Sequence, residues 1–318
     1  MSEAENFVKE VNVMNIVYMG TPDFAVKPLE KIINERHNVL GVFTQPDKPK
    51  GRGYSVTPPP VKECALKHGI PVYQPVSMKN GEAFEILSEL KPDVIVVVAY
   101  GKILPKNILE LPKYGCINVH ASLLPKYRGA GPIQWCVLNG EQKTGVTTMN
   151  MAEGLDTGDM LFKSETQIGE NETASELHDR LSVMGAELIV KTLTAVENNT
   201  LVPQKQNDEE SSYAPMLTKE LCNIDWSKSA QEVHNKVRGL NSWPVAVTFA
   251  NGKRLKVFST RIVEAKGEAG TVIKEKPLTV ACGDKSVEIL EVQPEGKKRM
   301  SADDYVRGYR IAKGTVFG

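Results

Sequence analysis

The sequence predicts an α/β protein, with a doubly wound, mainly parallel β-sheet followed by a small C-terminal β-barrel. Over the first two-thirds of the 318 residues, short apolar runs alternate with amphipathic helical stretches. This alternation is typical of strands buried between two layers of helices. Over the last third, several short strand patterns are separated by turn sequences, which favours a small barrel.

The strands of the first region are apolar and rich in β-branched residues. They are predicted at 15–19, 39–43, 94–100 and 117–120. Helical stretches between them are predicted at 24–34, 60–68, 81–90 and 132–138. A longer helix follows. It begins with a T-x-x-E capping box formed by Thr173 and Glu176 and is predicted to run to about residue 196.

A polar segment then interrupts the pattern. Residues 198–215 contain two prolines and no apolar periodicity, which predicts a linker between domains. The predicted boundaries are an α/β domain at 1–197, a linker at 198–218 and a β-barrel domain at 219–318.

The barrel region has its own local signals. Ser229 and Glu232 predict a second capping box, which begins a short helix. The Asn251-Gly252 pair separates VAVTFA from KRLKVFST and predicts a β-hairpin. The Gly283-Asp284 pair separates two further strand patterns in the same way.

The composition is that of an ordinary globular chain, with 41% hydrophobic and 25% charged residues. No apolar run approaches the ~18 residues of a membrane span, and the first residues lack the arginines of a transit peptide. The five cysteines are scattered without a C-x-x-C pair, which favours free thiols in a reducing compartment. We therefore expect a cytoplasmic protein with no membrane partner.

The formal net charge of zero conceals an asymmetry between the two regions. Residues 219–318 hold 18 Lys and Arg against 12 Asp and Glu, a balance of +6. Residues 1–218 hold 21 against 27, a balance of −6. This asymmetry indicates a polyanionic partner for the basic region, or simply a soluble basic domain.

The first predicted strand ends in a glycine and leads into a helix, in the stretch NIVYMGTPDF. Such a turn places backbone N–H groups at a ligand site, or it is only a tight turn between strand and helix. Gly20 is the single glycine of the stretch, so the G-x-G-x-x-G fingerprint is absent and NAD binding is not predicted.

Residues 44–60, TQPDKPKGRGYSVTPPP, contain five prolines and two glycines. This composition predicts irregular structure, and the stretch is long for a loop in a compact α/β domain. Lys48, Lys50 and Arg52 lie within it and are suited to contact phosphates. A surface loop without a ligand is the alternative.

Asn118 and His120 are the strongest candidate catalytic residues. They lie at the end of a predicted strand, where ligands of open α/β sheets bind. Strand alternation places both side chains on one face. An amide can donate a hydrogen bond to an oxyanion, and an imidazole can donate one or move a proton near neutral pH. A structural histidine is the alternative.

A carboxylate would complete such a site. Asp156 lies in the glycine-rich stretch GLDTGD and could orient the imidazole or act as a base. Asp in a turn also commonly bonds its own backbone, which is the other interpretation. No metal site is predicted, because the histidines and cysteines are dispersed and H-x-x-x-H is absent. The G-x-S-x-G serine motif is absent as well.

These motifs resemble those of the folate-dependent formyltransferases: Asn118-Val-His120, then SLLPKYRG, then GLDTGDM. Nearly the whole chain, in order, resembles the branch of that family that acts on methionyl-tRNA. The segments that carry this resemblance are MGTPDFAV, TQPDKPKGRG, PPPVKECA, VYQPVSM, VVAYGKILP and RGLNSWPVA. The Asn/His/Asp set would indicate only the superfamily, whereas the GRG loop and the basic barrel indicate the tRNA branch.

The resemblance implies a Rossmann-like catalytic domain and an oligonucleotide-binding-like (OB-like) barrel. It implies transfer of a formyl group from 10-formyltetrahydrofolate to the α-amine of methionyl initiator tRNA for translation initiation, without a metal. Asn118 and His120 would donate to the oxyanion, and Asp156 would hold His120 and assist proton movement. The implied folate-contacting residues are Tyr100, Gly101, Ile103, Ser122, Leu123, Leu124 and Pro125.

The resemblance also assigns the basic residues to tRNA. Arg52, with Lys48 and Lys50, would meet the acceptor stem. Lys253, Arg254, Lys256 and the Lys297-Lys298-Arg299 run would contact phosphates. The resemblance further favours a monomer. Family members begin near Met14, so residues 1–13 are expected to be an extension without function.

Three other functions remain open at this point. A formyltransferase for sugar nucleotides or for glycinamide ribonucleotide would share Asn, His and Asp but would not need the basic barrel. A tRNA-binding protein with an inactive pocket would bind tRNA without turnover. A hydrolase would release formate from the folate in the absence of tRNA.

Overall fold

The computed structural model describes residues 13–50 and 55–318. Of the predictions above, Arg52 and residues 1–12 lie outside this part of the chain. The first ten strands are β1 (Asn15–Gly20), β2 (Asn38–Phe43), β3 (Lys48–Lys50), β4 (Ser55–Thr57), β5 (Val72–Tyr73), β6 (Val94–Val98), β7 (Cys116–His120), β8 (Arg128–Gly129), β9 (Lys143–Asn150) and β10 (Met160–Gln167). The remaining strands are β11 (Tyr213–Ala214), β12 (Ala246–Ala250), β13 (Lys253–Val263), β14 (Val272–Lys274), β15 (Thr279–Ala281), β16 (Ser286–Pro294) and β17 (Met300–Ser301).

The helices of the described residues are α1 (Val26–Asn34), α2 (Pro60–Lys67), α3 (Glu82–Leu90), α4 (Lys106–Leu109), α5 (Pro132–Leu138), α6 (Ala174–Glu197), α7 (Ala230–Gly239) and α8 (Ala302–Tyr309). Six of them agree closely with the predicted helices, whereas α4 and α8 were not predicted. Both predicted capping boxes form. The Thr173 N–H donates to Glu176 at 2.8 Å, and Ser229 and Glu232 cap each other at the start of α7. Each box satisfies N–H groups that have no partner within the helix.

The main sheet has the strand order β10-β9-β7-β6-β1-β2-β5. The pairs β1–β2, β1–β6, β6–β7 and β2–β5 are parallel, which confirms the predicted doubly wound, mainly parallel sheet. The chain leaves β1 toward β2 on one side and returns to β6 on the other. The order therefore reverses at β1, and ligands of such sheets bind beside this point at the carboxyl ends of the strands.

Three strands of this sheet, β5, β9 and β10, were not predicted. β9 pairs antiparallel with β7, and β10 lies beside β9 at the edge. β9 reads KTGVTTMN, in which threonines take the place of the aliphatic residues that mark the other strands. β9 nevertheless covers the side of β7 opposite to β6, so the strand that carries Asn118 and His120 is an interior strand.

A hydrophobic core packs around the parallel strands. Val17, Met19, Phe43, Ile95 and Val97 of β1, β2 and β6 are at most 4% exposed. Residues of α3 and α4 complete this cluster. Burial of each such side chain contributes about 1.5–3 kcal/mol to the free energy of unfolding. The carboxyl ends of these strands are therefore supported by a well-packed core.

The prediction that residues 44–60 have no regular structure is wrong. β3 and β4 pair antiparallel, with Lys48 opposite Thr57 and Lys50 opposite Ser55. Proline lacks the N–H that a ladder needs but is tolerated in a two-stranded ribbon, where each strand has a free edge. The basic stretch is therefore carried in part by a short β-ribbon.

The polar segment after α6 makes defined backbone contacts. Gln204 forms a two-way backbone bridge with Met160, at 2.8 Å in each direction. Further along, β11 pairs parallel with β8. These contacts are hydrogen bonds between backbone groups, and a pattern of apolar side chains gives no sign of them. The sequence alone therefore indicated only a polar linker.

The last hundred residues contain a second, antiparallel sheet with the order β12-β13-β16-β15-β14 and with β17 beside β16. Both predicted turns connect adjacent strands, and Asn251 and Gly252 have positive φ of 50° and 71°, as a type I′ hairpin requires. The chain end lies between the two edge strands: Phe317 bridges Ala250 of β12, and Val316 bridges Thr271 beside β14. The C-terminal segment thus pairs with residues at both edges of this sheet.

The chain divides into two compact units. Of the described residues, the first unit comprises 13–50, 55–120, 146–164 and 182–206, and the second comprises 121–145, 165–181 and 207–318. The core of the second unit is formed by the antiparallel sheet, α7 and α8. All five cysteines are buried and free, as the sequence predicted.

Candidate active site

Strand β7 places Asn118 and His120 in the interior of the main sheet. Both belong to the first unit. Asn118 pairs with Met149 and His120 with Thr147 across the β7–β9 ladder. His120 is the last residue of the strand and is 6% exposed, whereas Asn118 is partly exposed. The two residues are separated by one position, so their side chains share a face of the sheet.

The glycine-rich loop between β9 and β10 brings Asp156 to this pair. One carboxylate oxygen, Oδ2, lies 3.6 Å from His120 Nδ1, and the other, Oδ1, lies 3.5 Å from Asn118 Nδ2. The Asp156 side chain is 13% exposed. The structure therefore brings together the three residues that the sequence identified as a candidate catalytic set.

The backbone of this loop adopts a conformation that few residues tolerate. Asp156 has φ of +52°, in the left-handed region where Asp and Asn are among the more frequent non-glycine residues. A Cβ on Gly158 would lie 1.8 Å from the carbonyl oxygen of Asn150, so only glycine fits there. The two ends of the loop are also joined by a backbone hydrogen bond, in which the Asn150 N–H donates to Asp159 O at 2.9 Å.

Gln206 is a site residue that the sequence analysis missed. Its side-chain Nε2 donates to the carbonyl oxygens of Asp156 and Gly158, both at 2.8 Å, and the residue is 6% exposed. A glutamine in a polar segment gives no signal of such a role. The contact fixes the backbone on either side of Thr157 and so fixes the position of the Asp156 carboxylate.

The carboxyl ends of β1, β2 and β6 converge on a turn that contains two of the predicted folate-contacting residues. Thr21 Oγ1 donates to Tyr100 O at 3.1 Å. Gln45 Nε2 donates to Tyr100 O at 3.1 Å and to Gly101 O at 3.0 Å. β6 ends at Val98, two residues earlier than predicted, because Ala99 and Gly101 turn the chain with positive φ.

The side chains of this turn have different surroundings. Tyr100 is 1% exposed, its hydroxyl donates to Met78 Sδ at 3.3 Å, and burial raises its pKa above its ordinary value. Ile103 is 71% exposed, an unusual placement for an isoleucine and one that suits contact with an apolar ring. At this turn, backbone atoms and Ile103 are therefore accessible, whereas the Tyr100 ring belongs to the core.

The other predicted folate-contacting segment, residues 122–125, lies in the second unit. Ser122 is fully buried, and its Oγ donates to Lys126 O at 2.6 Å. Leu124 is 1% exposed, and Leu123 and Pro125 are partly exposed. The hydroxyl of Ser122 thus shapes its own turn, and Leu123 and Pro125 are the accessible side chains.

Among the basic candidates of the first unit, Lys48 is exposed. Burial, and then the nearby charge of Lys48, lower the pKa of Lys102, whose ammonium donates to Val76 O at 2.8 Å. Two cations therefore lie close together beside the turn after β6. For Lys50, the structure describes only the backbone, which lies in β3.

The basic candidates of the second unit separate into two groups. Lys253 and Arg254 at the start of β13 are exposed, and Lys256 is partly exposed. Lys297 and Lys298 are also exposed. Arg299 instead pairs with Glu291 and lies over the Phe258 ring at 4.1 Å. The run of three basic residues thus contains one that is engaged within the protein.

Two kinds of feature are absent from residues 13–50 and 55–318. No helix in this part of the chain has both the length and the apolar character needed to cross a membrane. Nor does it contain a group of three or more His, Cys, Asp or Glu side chains placed to hold a metal ion.

Solved structures share the fold at low sequence identity. An N-formyltransferase from Helicobacter canadensis, in complex with folinic acid and dTDP-3-aminofucose, matches with a TM-score of 0.67 and 23% identity, over 87% of this chain and 99% of that one. HypX from Aquifex aeolicus, in complex with tetrahydrofolic acid, matches with a TM-score of 0.65 and 18% identity, over 92% of this chain and 47% of that one. At these identities the likeness concerns the fold.

The sequence comparisons are more specific. Methionyl-tRNA formyltransferases from Alkaliphilus oremlandii and Clostridioides difficile are each 53% identical over 309 residues, which is 96% of this chain and 100% of each relative. Residues 14–193 match the formyl transferase family, and residues 216–310 match the formyl transferase C-terminal domain. The chain therefore belongs to the formyl transferase family, in which methionyl-tRNA formyltransferases are its relatives over nearly the full length.

Proposed function

We propose that this chain transfers the formyl group of 10-formyltetrahydrofolate to the α-amino group of methionyl initiator tRNA. The observation that carries the proposal is the Asn118–His120–Asp156 cluster at the carboxyl end of β7, in a chain 53% identical to methionyl-tRNA formyltransferases. Such a reaction belongs to translation, so we expect the chain to act in the cytoplasm, and we expect a monomer.

The formyl donor supplies an already activated formyl group. The protein therefore has to bind and orient the two substrates and to transfer protons between them. The described residues suit a flat, partly polar donor. The turn at Tyr100 and Gly101 is held rigid from two sides by Thr21 and Gln45, and Ile103 offers an exposed apolar face beside it. In the second unit, the buried Ser122 and Leu124 support the backbone that carries Leu123 and Pro125.

Asn118 and His120 would stabilise the negative charge that develops on the formyl oxygen as the amine adds. The Asn118 amide has two N–H donors; one is directed toward Asp156 at 3.5 Å, which leaves the second for the oxygen. His120 faces Asp156 with Nδ1, and we assign its Nε2 to the substrate. Loss of one donor of this kind typically costs about 10²–10³ in rate.

His120 and Asp156 would also manage protons. The attacking amine must lose one proton, and the leaving nitrogen of the donor must gain one. An imidazole can take up and release a proton near neutral pH. The Asp156 carboxylate, 3.6 Å from Nδ1, stabilises the charged imidazolium and holds its orientation.

The basic residues would bind the tRNA. Lys48 and Lys50 on the β-ribbon, with Arg52 from outside the described residues, are assigned to the acceptor end. Lys253, Arg254 and Lys256 on β13 are assigned to phosphates of the RNA. We further propose that residues 1–197 form the catalytic domain, with residues 198–218 as a linker and residues 219–318 as the tRNA-binding domain.

The test measures transfer of labelled formyl from 10-formyltetrahydrofolate to methionine-charged initiator tRNA and to methionine-charged elongator tRNA. Strong labelling of the initiator alone is expected. Formate release without tRNA would indicate a hydrolase instead. Absence of transfer to either tRNA, with the folate still bound, would redirect the proposal to a sugar-nucleotide acceptor.

A further inference from the structure

A cavity of about 380 Å³ opens in the second unit beside the antiparallel sheet. Three separate chain segments line it: the turn between β12 and β13, the turn between β16 and β17, and helix α8 with its exit. The volume lies in the range of small-molecule sites. All three segments belong to the second unit, so the cavity is a feature of this unit alone.

The charged side chains that line the cavity are mainly cationic. Lys253, Arg254 and Lys297 contribute three positive charges, and Glu295 contributes the one carboxylate. All three cations are exposed. In the part of the chain that the structure describes, none of them has an ion-pair partner within 4 Å, in contrast to the neighbouring Arg299, which pairs with Glu291. The cavity therefore has positive charge available for an anion.

An aromatic ring forms one wall of the same cavity. Tyr309, in the last turn of α8, is partly exposed and packs against Tyr305 with ring centroids 4.7 Å apart. Tyr305 is 3% exposed and belongs to the core of this unit. Since Tyr305 holds it in place, Tyr309 offers a fixed ring surface, and nucleobases stack on such rings with little dependence on sequence.

The combination of cations and aromatic rings continues beyond the cavity. Phe249 is 40% exposed and lies directly opposite Arg254 in the β12–β13 ladder. Lys256, further along β13, is partly exposed as well. A surface on which cations lie beside aromatic rings is suited to a nucleic-acid strand, and a free mononucleotide would not need the part that lies outside the cavity.

We propose that the cavity holds one unpaired nucleotide of the RNA substrate. Its base stacks on Tyr309, and its phosphate lies against Lys253, Arg254 and Lys297. This inference rests on the proposed function, because it takes the substrate to be a tRNA. It adds to that function a defined site for a single extruded or unpaired base.

The test compares the affinity of the full-length chain for uncharged initiator tRNA and for a short blunt RNA duplex, which has no unpaired base. Tyr309→Leu is expected to weaken tRNA binding roughly tenfold or more and to leave duplex binding unchanged. Tyr309→Phe, which keeps the ring, should bind tRNA like the wild type. An equal loss on both RNAs, or no loss on either, would overturn the proposal.

A second pair of variants tests the phosphate contact and does not disturb the core. Lys297→Gln is expected to lower the salt dependence of tRNA binding by about one unit of slope. Lys266→Gln, at an exposed lysine of the same unit that does not line the cavity, should leave that slope unchanged. If Tyr309→Leu does not fold, the two lysine variants test the proposal. Identical salt-dependence slopes for these two variants would contradict it.

Two further outcomes separate the alternatives. If adenosine monophosphate binds more tightly than tRNA, and Tyr309→Leu abolishes that binding, then the cavity serves a free mononucleotide and the RNA proposal fails. Binding is measured without formyl donor or methionine. A chain that binds tRNA through Tyr309 but transfers no formyl would therefore refute the proposed function alone, and normal transfer with unchanged Tyr309→Leu affinity would refute only the nucleotide site.

Discussion

Gln206 Nε2 donates to the carbonyl oxygens of Asp156 and Gly158, both at 2.8 Å. The contact ties the polar segment after α6 to the loop that carries the carboxylate of the candidate site. Asp156 in turn lies within 3.6 Å of both Asn118 and His120. Gln206 is therefore a positioning residue, which acts on the site through the backbone of Asp156.

Replacement of Gln206 should separate this positioning role from simple packing. Gln206→Leu removes both hydrogen bonds and leaves two loop carbonyls unpaired, which should lower the free energy of unfolding by about 1–3 kcal/mol. Because displacement of a catalytic group by about 1 Å can cost 10²-fold, kcat should fall roughly tenfold to 100-fold with little change in KM for tRNA. Urea unfolding and steady-state kinetics would measure the two effects.

The matched control is Gln204→Leu. Gln204 lies two residues earlier with an exposed side chain, and it bridges Met160 through backbone atoms alone. Its variant should keep both stability and kcat. A fall in kcat of similar size in both variants would contradict the positioning role of Gln206.

The two proposed donors can be tested individually. Asn118→Ala and His120→Ala should each lower kcat by about 10²–10³, because each removes a hydrogen bond to the developing oxyanion. Thermal unfolding should remain cooperative in both. His68→Ala replaces an exposed histidine and should leave kcat unchanged. A near-normal kcat in Asn118→Ala or His120→Ala would refute the oxyanion assignment for that residue.

The sequence predicted the parts of this site that follow from strand periodicity. Asn118 and His120 share a face because side chains alternate along a strand, and the apolar runs of β1, β6 and β7 mark the strands themselves. The role of Asp156 depended on family resemblance, since an Asp in a glycine-rich loop has several common uses. Gln206 gave no signal, because its partners are backbone carbonyls 48 and 50 positions away.

Other features depend on contacts that patterning does not report. β9 was missed because its threonines interrupt the aliphatic pattern. The β3–β4 ribbon was missed because prolines normally mark irregular structure. Similarly, the sequence predicts three equivalent cations in the Lys297-Lys298-Arg299 run. In the structure, however, Arg299 forms an ion pair with Glu291 and lies over the Phe258 ring.

A buried histidine should make stability depend on pH. His234 is 2% exposed and lies between Thr260 Oγ1 at 2.9 Å and Glu170 O at 3.2 Å. Burial lowers its pKa below the ordinary value of 6.5. As the pH falls below about 6.5, the unfolded chain therefore takes up a proton before the folded chain does, and stability declines.

The expected decline is at most about 1.4 kcal/mol per pH unit for each such histidine. Urea unfolding at pH 7 and at pH 5.5 would measure it, and His234→Gln should show a smaller decline than the wild type. Some decline should remain, because burial also lowers the pKa of His37. His68→Gln, at an exposed position, is the control. If His234→Gln and the wild type lose equal stability, His234 is not responsible.

Charge reversal on β13 tests the proposed RNA-binding surface. Lys253 is exposed, and within the described residues it forms no ion pair that the substitution would break. Lys253→Glu should therefore raise KM for methionyl-tRNA and lower the salt dependence of KM, because a phosphate contact contributes about one unit to that slope. The value of kcat should change little, since Asn118, His120 and Asp156 are untouched. Lys266→Glu makes the same charge change at another exposed lysine and serves as the control. If both variants raise KM equally, the effect comes from net charge, and the assignment of Lys253 to a phosphate contact is wrong.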